Sequence, residues 1–194
     1  MEIVRQSAAL ILEMKSNLQK FEQDPLTTES GYHITGTLEQ ACNDLWHFMR
    51  VHRITASKFL EWVKDAMNAI HRYYNEADDI SNLPWIKWGT ENESVCIEQY
   101  NNSHPDKITR CGCFVSKKEV YISASPDGLI LGKQTVVEVK CPWNRKQNDP
   151  NVFIPDFCYH DEFGKIQLKR THIYFWQIQC QMYCTGFKKG KFLV

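Results

Sequence analysis

One short segment places an acid and a base at the spacing of a single strand face. Residues 136–142 have the sequence Val-Val-Glu-Val-Lys-Cys-Pro, which predicts a β-strand. Side chains two residues apart in a strand point the same way, so Glu138 and Lys140 share one face and Val137 and Val139 share the other. We therefore predict one face in the core and one face that carries chemistry.

A second carboxylate precedes this strand. Ser125-Pro-Asp-Gly128 is typical of a tight turn, and a hairpin between Gly128 and Val136 would bring Asp127 beside Glu138. Two converging carboxylates suit a hard divalent cation such as Mg²⁺, with Mn²⁺ as a substitute. Such an ion would activate water, while the ammonium of Lys140 would orient that water or balance charge on a phosphoryl group. The three side chains predict metal-dependent phosphodiester hydrolysis, although Glu138 and Lys140 alone would also fit a solvated pair on an exposed strand.

The surrounding elements are predicted from hydrophobic periodicity, caps and turns. Helices are predicted at 3–21, at 37–52 with Thr37 and Gln40 as a capping box, at 56–75 capped by Thr55, at 88–100 and at 171–185. From residue 110 the period changes to two, which predicts an antiparallel meander with strands at 113–115, 120–123, 129–131 and 135–140. Loops are expected at 26–36 and over roughly thirty residues after Pro142, and a last strand at 191–194. Helices before and after one small sheet along the chain predict a mixed α and β (α+β) fold.

Several separated motifs together resemble a known family. Asp127, a ten-residue gap and Glu138-Val-Lys140 are similar to the pattern of the PD-(D/E)XK nuclease superfamily. More narrowly, the chain resembles the phage lambda exonuclease and YqaJ-type viral recombinase family from about Leu45 to Gly190. The motifs that carry the resemblance are Trp46-His47, Arg50 with Ile54 to Ser57, Trp88-Gly89 with Glu93, Ser125 to Leu129, Glu138 to Pro142, and Gln177 with Gln179.

The resemblance implies a restriction-endonuclease-like core, a small central mixed sheet flanked by helices, and a set of catalytic roles. The residues that match Asp127 and Glu138 ligate the catalytic metal in this family, together with the backbone carbonyl that matches Val139. The residue that matches Lys140 assists the attacking water.

A helix acid and a glutamine complete the site that the resemblance implies. Glu93 corresponds to the glutamate that helps to hold a second metal or its waters, and Gln177 corresponds to a glutamine that lines the same site. Glu91 is the competing choice for the acid, but only Glu93 lies four residues after Gly89, as the family pattern requires.

A phosphate-binding pocket is also implied. Arg50 and Ser57 match residues that grip the 5′-terminal phosphate in this family, and Arg53 lies close enough in sequence to share that role. The chemistry agrees, because an arginine binds phosphate with two hydrogen bonds and free backbone N–H groups at a helix start attract anions. The alternatives are a helix cap for Ser57 and a surface salt bridge for Arg50.

These implications predict a Mg²⁺-dependent deoxyribonuclease. We expect a 5′ to 3′ exonuclease on duplex DNA ends that prefers a 5′-phosphate and acts in viral or phage-type recombination, replication or repair. A single-strand annealing protein is the partner implied by the family, and nothing in the chain predicts an oligomeric state. The alternatives are a structure-specific endonuclease of the same fold, a nuclease tolerant of RNA, and a silent DNA-end-binding module, which the complete set of acids and lysine disfavours.

The eight cysteines suggest a metal cluster as a further alternative. Some nucleases of this superfamily carry a four-cysteine iron–sulfur cluster, but the spacings Cys111-x-Cys113 and Cys180-x₃-Cys184 contain no CxxC pair. We therefore expect no iron–sulfur cluster, and a zinc site is equally weakly supported. Cys180 and Cys184 lie one helical turn apart among apolar neighbours, which predicts buried packing.

The length of 194 residues predicts a single compact domain. Within it we expect residues 1–44 to form a helical extension packed on the core and residues 45–194 to form the nuclease domain. The N-terminus lacks the pattern of a signal peptide, and no stretch approaches the roughly 18 apolar residues of a membrane helix. We therefore expect a soluble, intracellular protein that is not secreted, in the host cytoplasm or nucleus if the source is viral.

Charge is balanced overall but unevenly distributed. There are 23 Lys and Arg against 23 Asp and Glu, which excludes a simple polycation that coats nucleic acid by charge alone. Residues 163–194, however, hold six of the cations and none of the acids. This stretch is either a solvated lysine-rich surface or a surface for an anionic substrate. Because it contains Gln177, we expect its lysines, including Lys188 and Lys189, to line the path of DNA.

Overall fold

A computed structural model describes residues 2–51, 53–65, 82–143 and 155–194. Its helices are α1 (Glu2–Leu18), α2 (Asp44–Arg50), α3 (Phe59–Lys64), α4 (Pro84–Ser103) and α5 (Ile173–Thr185). Its strands are β1 (Gly31–His33), β2 (Ile54–Thr55), β3 (Phe114–Ser116), β4 (Ile122–Ala124), β5 (Gly128–Ile130), β6 (Thr135–Val139), β7 (Cys158–His160), β8 (Ile166–Leu168) and β9 (Lys189–Leu193). The mixed α and β class predicted from the sequence is confirmed. None of the helices in the described part is long and apolar enough to cross a lipid bilayer.

The strands form separate small sheets rather than one meander. One sheet has the order β1-β3-β4-β2, a second has the order β5-β6-β9, and β7 pairs with β8. The predicted meander is wrong between β4 and β5, because Ser125 to Asp127 cross from one sheet to the other. The backbone of this crossing is held by other partners: the carbonyl of Pro126 accepts from the Gln40 side chain at 3.0 Å, and Pro126 has no N–H to donate.

The predicted hairpin before the reactive strand is present. β5 pairs antiparallel with β6, with Gly128 opposite Val137. β9 then adds to the other side of β6 in parallel, with Phe192 opposite Glu138. The central strand β6 is therefore hydrogen-bonded on both edges, which fixes the register of Glu138.

Three apolar clusters show which element covers which face. Val136 packs with Ile178 and Cys184 of α5, whereas Val137 and Val139 pack with Ile97 of α4. A third cluster joins the N-terminal segment to the first sheet, through contacts between Leu18, Ile34 and Val115 in its core. The predicted buried packing of Cys180 and Cys184 is confirmed, since both are core residues.

The helix that carries Arg50 begins later than predicted. Its N-cap is Asn43, whose side chain accepts from the N–H of Trp46 at 2.9 Å. Thr37 is fully buried instead, where its hydroxyl donates to the Ile34 carbonyl and accepts from the N–H of Cys113. The capping box prediction failed because this hydroxyl is used to tie the loop to the sheet.

Other element boundaries also differ from the prediction. The helix predicted from residue 56 starts as a 3₁₀ turn and then forms α3, and its part beyond residue 65 lies outside the described residues. Thr55 stands at the predicted cap position but makes no capping hydrogen bond. The predicted long loop contains the β7–β8 hairpin, whose turn is closed by Asp161 and by Gly164 at φ 73°.

The N-terminal segment contributes a strand as well as a helix. β1, predicted as loop, pairs antiparallel with β3, with Tyr32 opposite Val115. The Asp24 carboxylate anchors this segment, because it accepts hydrogen bonds from the N–H of Leu26 at 2.9 Å, from His33 Nδ1 at 2.8 Å and from the Thr35 hydroxyl. The side chain of Asp24 is only 7% exposed.

We predict that Asp24→Ala lowers the free energy of unfolding by about 1–3 kcal/mol at neutral pH, since partly buried donors lose their acceptor. Burial alone would raise the pKa of Asp24, but the hydrogen bonds from Thr35, Leu26 and His33 together lower it. The contribution of Asp24 is therefore complete above pH 4 or so and is lost as pH falls through the lowered pKa. Urea unfolding at pH 7 and at acidic pH should show the difference between wild type and variant shrinking in acid. Glu29→Ala, a change of an exposed acid in the same segment, should change stability by less than about 0.5 kcal/mol.

Candidate functional site

The carboxylate of Glu138 is buried and surrounded by donors. Glu138 is 1% exposed, because β6 points its side chain at α5. Its Oε1 accepts from Lys140 Nζ and from Gln177 Nε2, and its Oε2 accepts from Gln181 Nε2 at 2.5 Å. The strand prediction that Glu138 and Lys140 share one face, with Val137 and Val139 on the other, is confirmed by these contacts.

The Asp127 turn is locked to the same strand. The N–H of Asp127 donates to the Val137 carbonyl at 3.1 Å, and Asp127 Oδ2 accepts from the N–H of Val139 at 2.6 Å. The next residue must be glycine, because a Cβ at position 128 would lie 2.3 Å from Ile108 Cγ2. Asp127 and Glu138 are thus placed next to each other by backbone contacts, as the sequence predicted.

The acids at this point repel one another. Burial, then Glu138 and Glu93, raise the pKa of Asp127 well above its usual range, against the opposing effects of Lys140 and of the Val139 N–H. Burial and then Glu138 likewise raise the pKa of Glu93. Three carboxylates therefore lie within electrostatic range of each other.

The helix acid in this cluster is Glu93 rather than Glu91. α4 brings Glu93 into a half-buried position, where Lys140 and Arg110 counter the rise in its pKa, and leaves Glu91 exposed. The helix begins with Pro84 at its first turn, four residues earlier than predicted. The position of Glu93 agrees with the choice made from the family pattern.

Lys140 is the counter-charge of the cluster. Burial would lower the pKa of Lys140, but the charges of Glu138 and Asp127 outweigh it and raise that pKa. Lys140 Nζ also lies 5.1 Å from the ring centroid of Tyr174 in α5. Its ammonium is consequently charged, oriented and in contact with the most buried acid of the site.

The donor set fits a divalent cation. Asp127, Glu138 and Glu93 supply hard carboxylate oxygens, and their mutual repulsion is the feature that a cation would relieve. Glu138 Oε2 accepts a single hydrogen bond among the described residues, so it keeps acceptor capacity for an ion. The part of the chain that the structure describes holds no preformed cluster of three or more His, Cys, Asp or Glu ligands.

Gln181 is a site residue that the sequence reasoning missed. It is fully buried, and the orientation that lets its amide donate to Glu138 leaves its Oε1 without a partner among the described residues. Tyr174, Gln177 and Gln181 are spaced by three and four residues, so one face of α5 carries all three toward the Glu138–Lys140 pair. That spacing was readable in the sequence, since a glutamine one turn after Gln177 had to share its face.

The predicted phosphate residue Arg50 is connected to the Asp127 turn. Its guanidinium lies 4.0 Å from the Trp46 ring, and the Trp46 indole N–H donates to the Ser125 hydroxyl at 2.8 Å. Arg50, Ser125 and Arg53 all act on the buried Cys113 thiol, whose pKa is raised by burial and lowered in part by these three. Arg50 is therefore held near the turn that presents Asp127.

The other predicted phosphate residues differ in how they are held. Arg53 donates to the carbonyl of Val120 at 2.9 Å and to that of Met49 at 2.6 Å, so much of its guanidinium is used to hold the backbone. Ser57 is exposed in the 3₁₀ turn before α3, with its hydroxyl 3.4 Å from that of Thr55. Their role in phosphate binding stays a prediction.

Lys188 and Lys189 are exposed at a different place from the carboxylates. Lys189 begins β9 and lies opposite Thr135, the first residue of β6, whereas Glu138 and Val139 are near the last. The structure therefore brings Asp127, Glu138, Lys140, Glu93 and Gln177 together and leaves these two lysines apart from them.

We predict that Gln181→Leu lowers the free energy of unfolding by about 1–3 kcal/mol, because Glu138 Oε2 loses a donor in a buried site. Gln179→Leu is the matched control, since Gln179 is exposed on the same helix, and should change stability by less than about 0.5 kcal/mol. Chemical denaturation of both variants is the measurement. Equal stability of the two variants would show that the Gln181–Glu138 contact contributes nothing.

Two solved structures of another protein share the fold of this chain. LHK-Exo, an alkaline exonuclease from Laribacter hongkongensis, has the same fold: the structure of its complex with dAMP matches with a TM-score of 0.57 and 23% identity over 77% of this chain and 72% of that chain. A second LHK-Exo structure matches with a TM-score of 0.51 and 22% identity over the same shares. No protein of curated function matches the sequence.

The model of the YqaJ-like viral recombinase domain matches residues 45–188, which include every predicted site residue except Lys189. As the sequence motifs predicted, the chain belongs to the family of YqaJ-like viral recombinase domains.

Proposed function

We propose that this protein is a Mg²⁺-dependent deoxyribonuclease that digests duplex DNA ends in the 5′ to 3′ direction and prefers a 5′-phosphate. Membership of the YqaJ-like family and the fold shared with an alkaline exonuclease support DNA nuclease activity. LHK-Exo was solved with dAMP, a nucleoside monophosphate of the kind that exonucleolytic cleavage of DNA releases.

One observation carries the proposal: Asp127 at the start of β5, Glu138 in β6 and Glu93 on α4 lie within electrostatic range of one another and of the Lys140 ammonium. Glu138 is buried against Lys140, and the charges of Glu138 and Glu93 both act on Asp127. A fold has no structural need to bury one acid and place two partly buried acids beside it, because each costs desolvation that hydrogen bonds only partly offset. Metal-dependent hydrolysis of a phosphodiester explains why these acids lie beside one lysine.

The family resemblance implies a role for each of these residues, and their positions are compatible with those roles. Asp127, Glu138 and the Val139 carbonyl would hold the metal, with Glu93 holding a second ion or its waters. Bound Mg²⁺ would supply a water of lowered pKa and neutralise charge on the phosphate. Lys140 orients the attacking water and balances charge, Gln177 lines the site, and Gln181 holds the Glu138 carboxylate in place.

A 5′-phosphate would be recognised beside this cluster. Arg50 holds its guanidinium 4.0 Å from the centre of the Trp46 ring, and a guanidinium can bind two phosphate oxygens through paired N–H groups. Trp46 in turn donates to Ser125, two residues before Asp127. Recognition of the terminal phosphate and placement of the metal ligand thus share one support, which is the arrangement that end-directed cleavage requires.

Digestion in this direction leaves 3′ single-stranded tails. Such tails are the substrate that a single-strand annealing protein uses in recombination, so an annealing protein is the partner we propose. Viral or phage-type recombination, replication or repair is the corresponding process.

We predict that Glu138→Ala and Lys140→Ala each reduce Mg²⁺-dependent digestion of a linear duplex by at least about 100-fold, since each removes a group that contacts the reacting centre. EDTA should abolish digestion by the wild type. The measurement is release of acid-soluble nucleotide from end-labelled duplex. Lys118→Ala, a change of an exposed lysine on the β3–β4 turn, is the control and should leave the rate unchanged. Undiminished cleavage by the Glu138 and Lys140 variants would refute the mechanism.

We predict that Arg50→Ala erodes the preference for 5′-phosphorylated over 5′-hydroxyl ends by about tenfold or more, because a charge-assisted contact to phosphate is lost. Arg50→Lys keeps the charge but not the paired hydrogen bonds and should restore only part of the preference. Initial rates on two duplexes that differ only at the 5′ end give this ratio. A ratio that stays constant across the three proteins would exclude Arg50 from phosphate recognition.

A further inference from the structure

A large groove lies on a different face of α5 from the one that contacts Glu138. It has a volume of about 850 Å³ and is bounded by α5, β9 and the β7–β8 hairpin. Phe175, Ile178 and Met182 line it from α5, whereas Gln177 and Gln181 of the same helix contact Glu138. With 3.6 residues per turn the two sets are about 100° apart around the helix, so the groove is distinct from the carboxylate site.

The groove is strongly basic. Its cations are Lys133, Lys165, Arg170, Lys189 and Lys191, and the acid that lines it is Asp161. Four of these five belong to the acid-free segment 163–194. The fold therefore brings together in one groove the cations that the sequence contains as an acid-free segment. This arrangement favours a surface for an anionic substrate over a lysine-rich surface that only contacts solvent.

The single acid of the groove is already committed to the hairpin turn. Asp161 Oδ1 accepts from the N–H groups of Phe163 and Lys165, and its Oδ2 accepts from Gln167 Nε2. Two groove cations have local partners, since Lys133 pairs with Asp106 and Lys191 donates to the Tyr100 hydroxyl. No carboxylate lies within salt-bridge distance of Lys165, Arg170 or Lys189 in the described ranges. These three charges remain available to an anion.

Aromatic surface accompanies the charge. Tyr159 of β7, which lies opposite Gln167, lines the groove and is 44% exposed, and Ile166 of β8 also lines it and is 51% exposed. A flat exposed ring next to unpaired cations suits bases that are free to stack, which are those of a single strand. The bases of a duplex are already stacked on each other and offer only groove edges.

We propose that this groove binds the phosphate backbone of single-stranded DNA, with bases against Tyr159. The DNA identity of the strand rests on the proposed nuclease function, but the binding itself requires no cleavage. The groove would hold a strand that digestion leaves unpaired and so keep the enzyme on its substrate.

A peptide strand is the competing occupant, since β9 is the outer strand of its sheet in the described part and has an open edge. The charges favour nucleic acid. Pairing with β9 would need only backbone groups and would explain neither the unpaired Lys165 and Arg170 nor the exposed ring of Tyr159.

The test is fluorescence anisotropy of a labelled oligothymidylate with the full chain in EDTA, which prevents digestion. We expect Lys165→Glu with Arg170→Glu to weaken binding by about tenfold or more and to reduce the slope of log affinity against log salt by about 1 to 2. Tyr159→Ala should weaken binding by about fivefold or more, and Tyr159→Phe should restore it, because the ring stacks without its hydroxyl. Lys15→Glu with Lys20→Glu is the matched control, which changes two exposed lysines at the end of α1 and the turn after it and should bind as wild type does.

Thermal unfolding of each variant checks that the fold is intact. Wild-type affinity of the Lys165 and Arg170 variant would overturn the proposal, as would an equal loss for the Lys15 and Lys20 control. A groove that binds a duplex of equal length as tightly as the single strand, or that binds polyglutamate but not oligothymidylate, would overturn it as well. Failure of the nuclease function would show instead as absent Mg²⁺-dependent cleavage by wild type, with these binding differences unaffected.

Discussion

The burial of the Glu138 carboxylate is the constraint on which the rest of the site depends. A buried carboxylate is costly unless its oxygens are satisfied, and here Lys140, Gln177 and Gln181 satisfy them from β6 and α5. That need ties α5 to the sheet by polar contacts as well as by Ile178 and Cys184 in the apolar cluster. The position of Glu138 and the packing of α5 on the sheet are therefore one feature. A substitution that moves Glu138 therefore disturbs the packing of α5, and one that disturbs α5 moves Glu138.

Local pattern was sufficient to predict the reactive strand. Alternation around Glu138 placed Val137 and Val139 in the core, and the chain between Gly128 and Val136 predicted the hairpin that brings Asp127 beside Glu138, both of which the structure contains. These features depend on neighbours in sequence, where strand geometry and glycine sterics act directly. The presence of Glu93 in the cluster came from the family pattern and not from any local signal, because a single helix acid is ordinarily solvated.

Features that depend on distant contacts could not be predicted in the same way. The Thr37 hydroxyl had the sequence context of a helix cap, but its contact with Cys113 across the sheet overrides that local preference. The crossing at Ser125 to Asp127 has the sequence pattern of a hairpin turn. Those residues carry no signal that the distant Gln40 side chain donates to the Pro126 carbonyl. β7 and β8 were hidden for a different reason: each strand has three residues, which is too short for hydrophobic alternation to stand out from the surrounding loop.

The zero net charge of the chain is the sum of two separated regions of opposite sign. Lys189 and Glu138 lie three residues apart in register along β9 and β6, which is about 10 Å of strand. That distance exceeds the Debye length of about 8 Å at physiological ionic strength, so the acids of the site leave the charge of Lys189 largely unneutralised. An enzyme that acts on a polyanion must concentrate carboxylates where the metal binds and still attract phosphate, and separation of the two charges along one strand resolves that conflict without a net positive charge. Because attraction then depends on a local field rather than on the whole molecule, it is expected to weaken steeply as salt is added.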